Sequence, residues 1–519
     1  MSRTTRRSLP ATPVARLRHS CLVLLAAIAA SCGGEDGGPN ADAGPDLPDV
    51  PPTDVADSPD VADAPLADDA LDAPDSPDAS PPPLYRVEDG RIVDRLGRTL
   101  ILRGINVASG DLVKWAGDPP DVEEHVFRHV ADSGFNAVRF VINWDRIEPR
   151  ENEFQQDYLD IVERQVRKAA AEGLYVVLDM HQDMYGVGFG LNGAPAWTCD
   201  PANYDAFQPI EPWFFNYYSG PVSACFDHFW KTHEVHAHQQ ESARRVAERV
   251  ADVDLVVGFD PHNEPFPGTI DPDEFDAQYL YPFYEEFAAT VGSALPGRLY
   301  FIEPAVTFSA SLSCLMPGPI TAFQAVFAPH YYNTTVEMQK SWDGDGGANE
   351  TAVQTAQDVA GGLHAALAYG EMGGARETTN LGDYLVDLFE ELDARRAGSF
   401  LWIYSRGTSG FGMIEEATGE WTSHSWSYLR PAPTRVGGVP TAYSWTPATG
   451  TMVLEWQDAG TQPTEVMLPK WIRDAGYACT LDGAPATPEL DATFRHLVIR
   501  AGPPGPRSFH MVVAAAAPR

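Results

Sequence analysis

Two glutamates in this sequence stand where a carboxyl group could carry out chemistry. Glu264 lies in GFDPHNEPFPG (258–268), directly after the apolar run LVV (255–257), and Glu371 lies in YGEMGG at the end of another apolar run. A carboxylate at the end of a buried strand loses solvation, so it must pair with another group or take part in a reaction. The alternative for each is structural, as an acid at the start of a helix, where negative charge suits the dipole.

Two facing carboxyl groups of this kind can hydrolyse a glycosidic bond. One carboxyl with a raised pKa donates a proton, and one ionised carboxylate attacks the anomeric carbon. A separation of about 5 to 5.5 Å between them predicts retention of configuration. Both steps need only carboxyl groups and water, so we expect no metal and no organic cofactor.

Further polar and aromatic residues gather at the ends of predicted strands. Asn263 can hold a sugar hydroxyl, and Trp402 offers a flat apolar floor for a pyranose ring. Arg139 could either neutralise a buried carboxylate or contact substrate directly. The remaining candidates at strand ends are Asp179, His181, Asp183, His330 and Tyr332.

A metal site is the competing interpretation of some of these residues. Asp179, His181 and Asp183 alternate, so they share a face and could be metal ligands, as in a barrel metallohydrolase. A barrel deacetylase or amidohydrolase would need more histidines at strand ends than His181 and His330, and we favour the two glutamates. The stretch HEVHA (233–237) looks like a zincin helix, but its second histidine follows at three residues instead of four, so we reject that motif.

The elements that must position these residues alternate between short apolar runs and longer helical patterns. One helical pattern, YLDIVERQVRKAAAEG (158–173), ends in a glycine suited to a helix C-cap. About eight parallel strands with intervening helices predict a TIM (β/α)8 barrel, whose active site lies at the carboxyl ends of the strands. An open doubly wound sheet is the alternative, but it would need a phosphate-binding glycine loop that the sequence does not show. The candidate strands are 99–107, 135–143, 174–180, 255–261, 298–304, 322–330, 365–373 and 399–405.

The sequence divides into four predicted segments. Residues 1–31 have the charged and apolar regions of a signal peptide. Residues 32–84 are rich in Asp, Pro and Ala, and such a composition predicts an extended, disordered tether. Residues 85–428 form the predicted catalytic barrel, and short strands between turn residues predict a small C-terminal β-sandwich at residues 429–519.

The N-terminal segment predicts export. The apolar run CLVLLAAIA (21–29) is too short to span a bilayer as a mature helix, and AASCG (29–33) resembles a bacterial lipoprotein cleavage site. The resemblance implies cleavage before Cys32 and lipid on its sulfur. We therefore expect membrane association through an N-terminal lipid anchor, in the outer membrane or at the cell surface, with ordinary secretion as the alternative.

The net charge bears on the binding partners of the protein, and the cysteines bear on its disulfides. The formal net charge of −37 argues against a nucleic-acid partner, which demands a basic face, and we expect a monomer. Cys21 leaves with the signal peptide and Cys32 would be lipidated, so four cysteines remain that could oxidise after export in three pairings. Because two of them flank one long loop-like stretch, we predict the pair Cys199–Cys225 and leave Cys314 and Cys479 unassigned.

Several motifs occur in order and at suitable spacing: RIVDRLGRTLILRGIN (91–106), Arg139, His181, Asn263-Glu264-Pro265, His330, Tyr332, Glu371 and Trp402. Together they resemble glycoside hydrolase family five, whose catalytic glutamates lie on the fourth and seventh barrel strands. The resemblance implies that Glu264 is the general acid/base and Glu371 the nucleophile. It also implies that Asn263 contacts the sugar 2-hydroxyl and that His330 and Tyr332 position Glu371.

Within that family, DMHQD (179–183), NGAPAW (192–197) and the Arg430-Pro431 entry to the last domain resemble the endoglycoceramidases. Those enzymes cut the β-glycosidic bond between an oligosaccharide and ceramide. The resemblance implies a glycosphingolipid substrate, with Lys114 and Asp183 holding the sugar beside that bond. The alternatives are a related enzyme for a β-glucan or a simpler glucosyl or galactosyl lipid, and a catalytically silent carbohydrate-binding lipoprotein.

The stretch DAFQPIEPWFFNYYSGPV (205–222) after the third predicted strand is the densest aromatic cluster of the barrel sequence. We expect most of its rings to form a satellite core under a long loop. A ceramide leaving group also needs an apolar wall beside the acid, so we expect one or two rings among Trp213, Phe214 and Phe215 to contact lipid.

Overall fold

The computed structural model describes residues 83–108, 122–210, 213–407 and 410–514. The predicted signal peptide, the tether up to Pro82, and with them Cys32, lie outside the described residues, as does Lys114. Among the residues that are described, no helix is both long and apolar enough to cross a membrane.

Eight parallel strands close into a barrel, and this confirms the predicted TIM fold. Each strand pairs with the next along the chain, and the eighth pairs with the first, so the barrel has no free edge. The sixth strand is broken after Phe327 and resumes at His330, beside Glu371 of the seventh strand. The eight strands are Arg103–Ala108, Ala137–Asn143, Tyr175–His181, Val256–Asp260, Leu299–Ile302, Ala325–Phe327 with His330–Tyr331, Ala366–Met372 and Gly398–Leu401.

Helices cover the outside of the barrel. The helix predicted from its period spans Gln156–Ala171 and buries Leu159, Val162 and Val166. Gly173 follows with a φ of 80°, a backbone conformation that glycine adopts without steric cost. The other helices between residues 122 and 427 are Val122–Asp132, Trp144–Ile147, Pro201–Ala206, Gly220–Lys231, His233–Arg249, Pro272–Phe275, the π-helical turn Asp276–Leu280, Tyr281–Gly292, Phe308–Ser311, Thr334–Gln339, Gly347–Leu363 and Leu381–Arg395, with the 3-10 helices Val187–Phe189, Ala196–Thr198, Trp213–Tyr218 and Ser425–Ser427. Helix Lys470–Ala475 lies in the C-terminal domain.

The barrel strands are buried on both faces, which explains their nearly continuous apolar sequence. Side chains alternate along a strand, so Leu299 and Phe301 share a face with Glu303, which follows directly. Leu299 and Phe301 belong to a buried apolar cluster, and Ala137, two residues before Arg139, belongs to it as well. The barrel interior therefore changes from apolar to charged along the strand direction.

The C-terminal domain consists of two antiparallel sheets of five and seven strands. The larger sheet includes three N-terminal strands, of which Thr99–Leu100 pairs with Ala432–Val436. Residues 85–100, which the sequence analysis assigns to the barrel, thus lie in the C-terminal sheet, and the first barrel strand begins at Arg103. A continuous apolar run does not reveal where the chain leaves one sheet for another. The strands are Tyr85–Glu88, Arg91–Asp94, Thr99–Leu100, Ala432–Val436, Gly438–Thr446, Thr451–Asp458, Thr464–Met467, Tyr477–Leu481, Ala484–Ala486, Glu489–Asp491, His496–Ile499 and Gly505–Val513, besides the short pair Arg406–Gly407 and Ile414–Glu415.

A disulfide joins Cys199 to Cys225, the pair favoured by the sequence, with a Cα–Cα distance of 5.4 Å. It closes the long insertion between the third and fourth strands. Cys314 and Cys479 are free thiols.

A buried ionic triad joins the barrel to the C-terminal domain. Arg103 of the first strand donates to Asp393 Oδ1 at 2.7 Å, and Arg430 donates to the other oxygen of Asp393. All three side chains are nearly inaccessible to solvent. The guanidinium of Arg430 also lies over the ring of Phe389, with 4.9 Å between its Cζ and the ring centroid. One carboxylate is thus the shared counter-ion of two buried cations.

We expect Asp393→Ala to destabilise the protein by about 3–5 kcal/mol, because it leaves two guanidinium groups buried without their counter-ion. The free energy of unfolding from denaturant titration measures this. Asp252→Ala is the matched control, since Asp252 pairs with Arg167 at the surface and should cost at most about 1 kcal/mol. Equal losses in the two variants would contradict this role of the triad.

Candidate active site

The two candidate catalytic glutamates meet at the carboxyl ends of the strands. Glu264 follows the fourth strand, and Glu371 lies near the end of the seventh. One oxygen of each glutamate and one nitrogen of His330 lie within 4.8 Å of one another. Glu264 is 5% exposed and Glu371 is 0% exposed. Simultaneous ionisation of two carboxyl groups is strongly unfavourable when they are this close together and buried from solvent.

Glu371 receives hydrogen bonds on both oxygens. Arg139 Nη1 donates to Oε1 at 3.0 Å, and the Tyr332 hydroxyl donates to Oε2 at 2.8 Å. Burial raises the pKa of Glu371 to about 7, against the opposing charges of His330 and Arg139. These donors favour the ionised form, which is the form that a nucleophile needs. Gly370 allows the close packing, because a Cβ there would lie 2.9 Å from His330 Nε2.

Glu264 sits in a strained backbone conformation. Its φ is 44°, which is uncommon for a residue other than glycine. Its N–H donates to Glu303 Oε2 at 3.0 Å, and the side-chain amide of Gln182 donates to its carbonyl at 3.1 Å. Such a conformation persists only where the surroundings over-determine it. Glu303 and Gln182 are therefore the residues that aim the Glu264 side chain.

Arg139 connects the charged residues of the site. Burial alone would lower the pKa of Arg139, but the surrounding carboxylates hold it well above its usual value. The guanidinium lies between groups from five strand ends, so its role is to neutralise buried carboxylates. Its partners, at 2.8 to 3.1 Å, are Asn106, Asp179, Asp260, Asn263, Glu303 and Glu371.

His330 lies between three carboxyl groups. Its Nδ1 is 3.1 Å from Glu264 Oε1 and 3.6 Å from Glu371 Oε2, and its Nε2 is 3.1 Å from Glu303 Oε1. Burial would lower the pKa of His330, but Glu303 and its neighbours raise it well above the usual value. His330 thus contacts Glu264 more closely than Glu371, the residue that the resemblance implies it positions.

His181 and Trp402 form a stacked pair at the site. Their rings are 5.3 Å apart and 9° from parallel. His181 Nδ1 lies 2.8 Å from Asp179 Oδ2 and Nε2 lies 3.5 Å from Asp183, while Asp179 Oδ1 pairs with Arg139 at 3.0 Å. Burial opposes a charge on His181, but Asp179 raises its pKa to about 10. Asp179 and Asp183, which the metal-site interpretation takes as ligands together with His181, thus lie beside positive charge from Arg139 and from His181 itself.

The stretch NGAPAW supports this side of the site. Asn192 accepts from the backbone N–H of Asp183 at 3.0 Å. Gly193 has a φ of 124°, and a Cβ there would lie 2.5 Å from the Gln182 side chain. A side chain at position 193 would displace Gln182, which holds the carbonyls of Asn263 and Glu264.

Sequence reasoning missed four residues of the site: Asn106, Gln182, Asp260 and Glu303. Glu303 could have been identified from the sequence, since it lies at the end of the fifth predicted strand as Glu264 follows the fourth. Asp260 is a charged residue inside an apolar strand, which is a similar signal. Asn106 and Gln182 have no such signal, because their partners become neighbours only when the barrel closes.

The aromatic-rich stretch at residues 205–222, here called the aromatic insertion, packs on the loop that carries Glu264 through Tyr217 and Tyr218. Phe266, two residues after Glu264, contacts Tyr217 and Tyr218, each with 5.2 Å between ring centroids. Phe214 is buried and packs on the half-buried Phe215. The side chain of Trp213 is not among those described. Tyr218 is the exposed ring of this group, at 45%.

A closed (β/α)8 barrel with two adjacent glutamates at its carboxyl-end mouth is the arrangement of the glycosidase barrels. Residues 93–407 match the family model for cellulase, glycosyl hydrolase family 5, and residues 430–513 match the glycoside hydrolase family 5 C-terminal domain. The chain therefore belongs to glycoside hydrolase family 5, and the predicted membership is confirmed.

Several proteins that are similar to this chain in sequence carry the names of enzymes that act on glycolipids. Endoglycoceramidase I of Rhodococcus hoagii is 30% identical over 272 residues, which are 49% of this chain and 54% of that protein. A glucosylceramidase of Rhizopus delemar is 27% identical over 245 residues, 36% of each chain. The chain thus matches about half, or less, of the length of these curated relatives.

Solved structures of endo-glycoceramidase II from Rhodococcus sp. share the fold over nearly their full length. The ganglioside GM3 complex has a TM-score of 0.69 at 26% identity, covering 82% of this chain and 100% of that chain. The lactosyl-enzyme intermediate has a TM-score of 0.68 at 27% identity, covering 83% and 100% respectively.

We expect Tyr332→Phe to lower kcat/KM about tenfold to a hundredfold at neutral pH, because it removes a hydrogen bond to an ionised carboxylate. As the predicted nucleophile, Glu371 must be ionised to react, and its pKa is already raised to about 7. Loss of the donor raises that pKa further, so the acid limb of the pH profile should move to higher pH.

Tyr331→Phe is the control for this change, since the Tyr331 hydroxyl bonds to Asn349 and not to the site. Its pH profile should match that of the wild type. A Tyr332→Phe profile with an unmoved acid limb would show that Tyr332 does not tune Glu371.

Proposed function

We propose that the protein is a retaining glycoside hydrolase that cleaves the β-glycosidic bond between oligosaccharide and ceramide. The observation that carries this proposal is the pair Glu264 and Glu371, with oxygens within 4.8 Å of each other. An inverting enzyme needs room for a water molecule, with carboxyl groups about 6.5–9.5 Å apart, whereas a retaining enzyme needs about 5–5.5 Å. The close pair favours retention.

In the first step, Glu264 donates its proton to the glycosidic oxygen while Glu371 attacks the anomeric carbon. The bond to ceramide breaks, ceramide leaves as the alcohol, and the glycan becomes a covalent ester on Glu371. Glu371 suits the nucleophile, because Arg139 and Tyr332 donate to its two oxygens. Asn263, held by Arg139 at 2.8 Å, suits a contact with the sugar 2-hydroxyl.

In the second step, the ionised Glu264 accepts a proton from water, and the water oxygen attacks the anomeric carbon. The ester to Glu371 breaks, the glycan leaves with its original configuration, and Glu264 is protonated again. Glu264 Oε1 lies 3.1 Å from His330 Nδ1. Its main-chain contacts with Glu303 and Gln182 remain unchanged throughout.

Two observations support a glycolipid as the substrate. The first is similarity to proteins named as endoglycoceramidases and glucosylceramidase, including one solved with a ganglioside. The second is the aromatic insertion, whose exposed Tyr218 packs against Phe266 beside the proposed acid. An apolar wall there could hold the first carbons of a lipid, at about 0.8 kcal/mol per buried methylene.

The direct test is to incubate the protein separately with ganglioside GM3 in detergent, with glucosylceramide and with a soluble β-glucan. We expect intact oligosaccharide and ceramide from the ganglioside, with the released sugar initially in the β configuration. Glucose released from glucosylceramide alone would favour the simpler glucosyl lipid. Cleavage of the β-glucan alone would overturn the proposal.

The roles of the glutamates predict different losses. Glu264→Gln and Glu371→Gln should each lower turnover of the glycolipid at least about a hundredfold. A glycosyl fluoride has a leaving group that needs no protonation, so it should partly restore the first step in Glu264→Gln but not in Glu371→Gln.

Circular dichroism and thermal unfolding should show that both glutamine variants keep the fold. Equal behaviour of the two variants toward the fluoride would overturn the assignment of acid/base and nucleophile. It would leave the substrate test unaffected.

A further inference from the structure

A second cluster of potential metal ligands lies outside the barrel mouth, between two helices. His233 and His236 are one turn apart on helix His233–Arg249, and Glu286 comes from helix Tyr281–Gly292. One ligand atom from each of these three residues lies within 4.8 Å of the other two. The histidine spacing that rules out a zincin motif still places both rings on one helix face, and the third group comes from a different helix.

The distances between these groups are close to those of a tetrahedral site. Glu286 Oε2 lies 3.3 Å from His236 Nε2 and 3.8 Å from His233 Nε2. Zinc bonds of about 2.0–2.2 Å at tetrahedral angles put neighbouring ligand atoms about 3.3–3.5 Å apart. The two imidazole rings lie 5.1 Å apart at 78°, and one nitrogen of each lies within 4.8 Å of the other.

The hydrogen bonding of His236 points to a cation. Its Nδ1 lies 3.1 Å from the carbonyl oxygen of Phe229, and because a carbonyl only accepts, Nδ1 carries the proton. Nε2 of the neutral ring then directs a lone pair at the Glu286 carboxylate, and it has no hydrogen-bond partner of its own. Histidine ligands of metals are oriented by the same kind of bond from the opposite nitrogen.

The contact between His236 and Glu286 is short and partly enclosed. His236 is 8% exposed, and 3.3 Å separate its Nε2 from Glu286 Oε2. A divalent ion between this nitrogen and this carboxylate oxygen would be coordinated by both groups.

The electrostatics differ from those of the catalytic centre. Among the described residues, two further groups of histidine and carboxylate side chains could hold a metal, and both lie around Arg139 in the active site. Arg139 bonds to Asp260, Glu303 and Glu371 of these groups. Within the described part of the chain, Glu286 pairs with no lysine or arginine. The side chains of His233 and Glu286 are 68% and 46% exposed, so an ion can enter from solvent.

We propose that His233, His236 and Glu286 bind a zinc ion, with water in the fourth position, and that this ion links helix His233–Arg249 to helix Tyr281–Gly292. Imidazole nitrogen and carboxylate oxygen are ligands that suit zinc. An ion that binds the folded state and not the unfolded chain stabilises the fold, by an amount that grows with the logarithm of its concentration relative to Kd.

The test uses the full chain, freed of metal with a chelator and then dialysed into chelator-free buffer. Zinc chloride is titrated in by calorimetry, and thermal unfolding is recorded with and without zinc. We expect one tightly bound equivalent and a rise in Tm. His233→Ala and Glu286→Gln should each weaken zinc binding at least about tenfold and remove most of the rise in Tm.

His228→Ala is the matched control, since His228 is exposed on the preceding helix and bonds to Thr232. It should bind zinc as the wild type does. Absence of zinc binding by the wild type would overturn the proposal. So would affinity that is unchanged in His233→Ala and Glu286→Gln, which would place the ion elsewhere, for example at the catalytic carboxylates. Both readouts are independent of hydrolase activity.

Discussion

The charge balance around Arg139 is the constraint on which the rest of the active site depends. Four buried carboxylates, Asp179, Asp260, Glu303 and Glu371, lie within about 3 Å of one guanidinium, and burial of so many acids without a cation would be prohibitive. Because these acids come from the third, fourth, fifth and seventh strands, the ion cluster can form only when the barrel closes. Closure of the fold and assembly of the site are therefore one event.

The same balance explains why the site needs a rigid frame. The Arg139 fork has a fixed geometry, so each bound oxygen must come from a strand of fixed register. Glu303 illustrates this coupling, since it meets Arg139 and His330 with one oxygen and the backbone N–H of Glu264 with the other. The strained φ of Glu264 is thus supported by a carboxylate that is itself held by two cations.

The sequence predicted the barrel, and it placed the candidate site residues at strand ends, because both features can be read from local sequence. Apolar runs mark the strands, and Glu264, His330 and Glu371 occur where those runs end. The sequence did not reveal features that depend on contacts between distant segments. The run 99–107 crosses from the C-terminal sheet into the barrel with no change of composition, and the closer contact of His330 with Glu264 depends on register between distant strands. Lys114 and Cys32 lie outside the described residues and stay predictions.

The unequal surroundings of the two glutamates give the argument for their separate roles. Glu371 accepts from Arg139 and Tyr332, while the Glu264 side chain meets only the shared ring of His330 among the described contacts. A negative charge within the pair is therefore better stabilised on Glu371, and burial ensures that the second charge is disfavoured. In the proposed mechanism the nucleophile must be ionised, and the two donors to Glu371 suit it for that role more than the single ring contact suits Glu264.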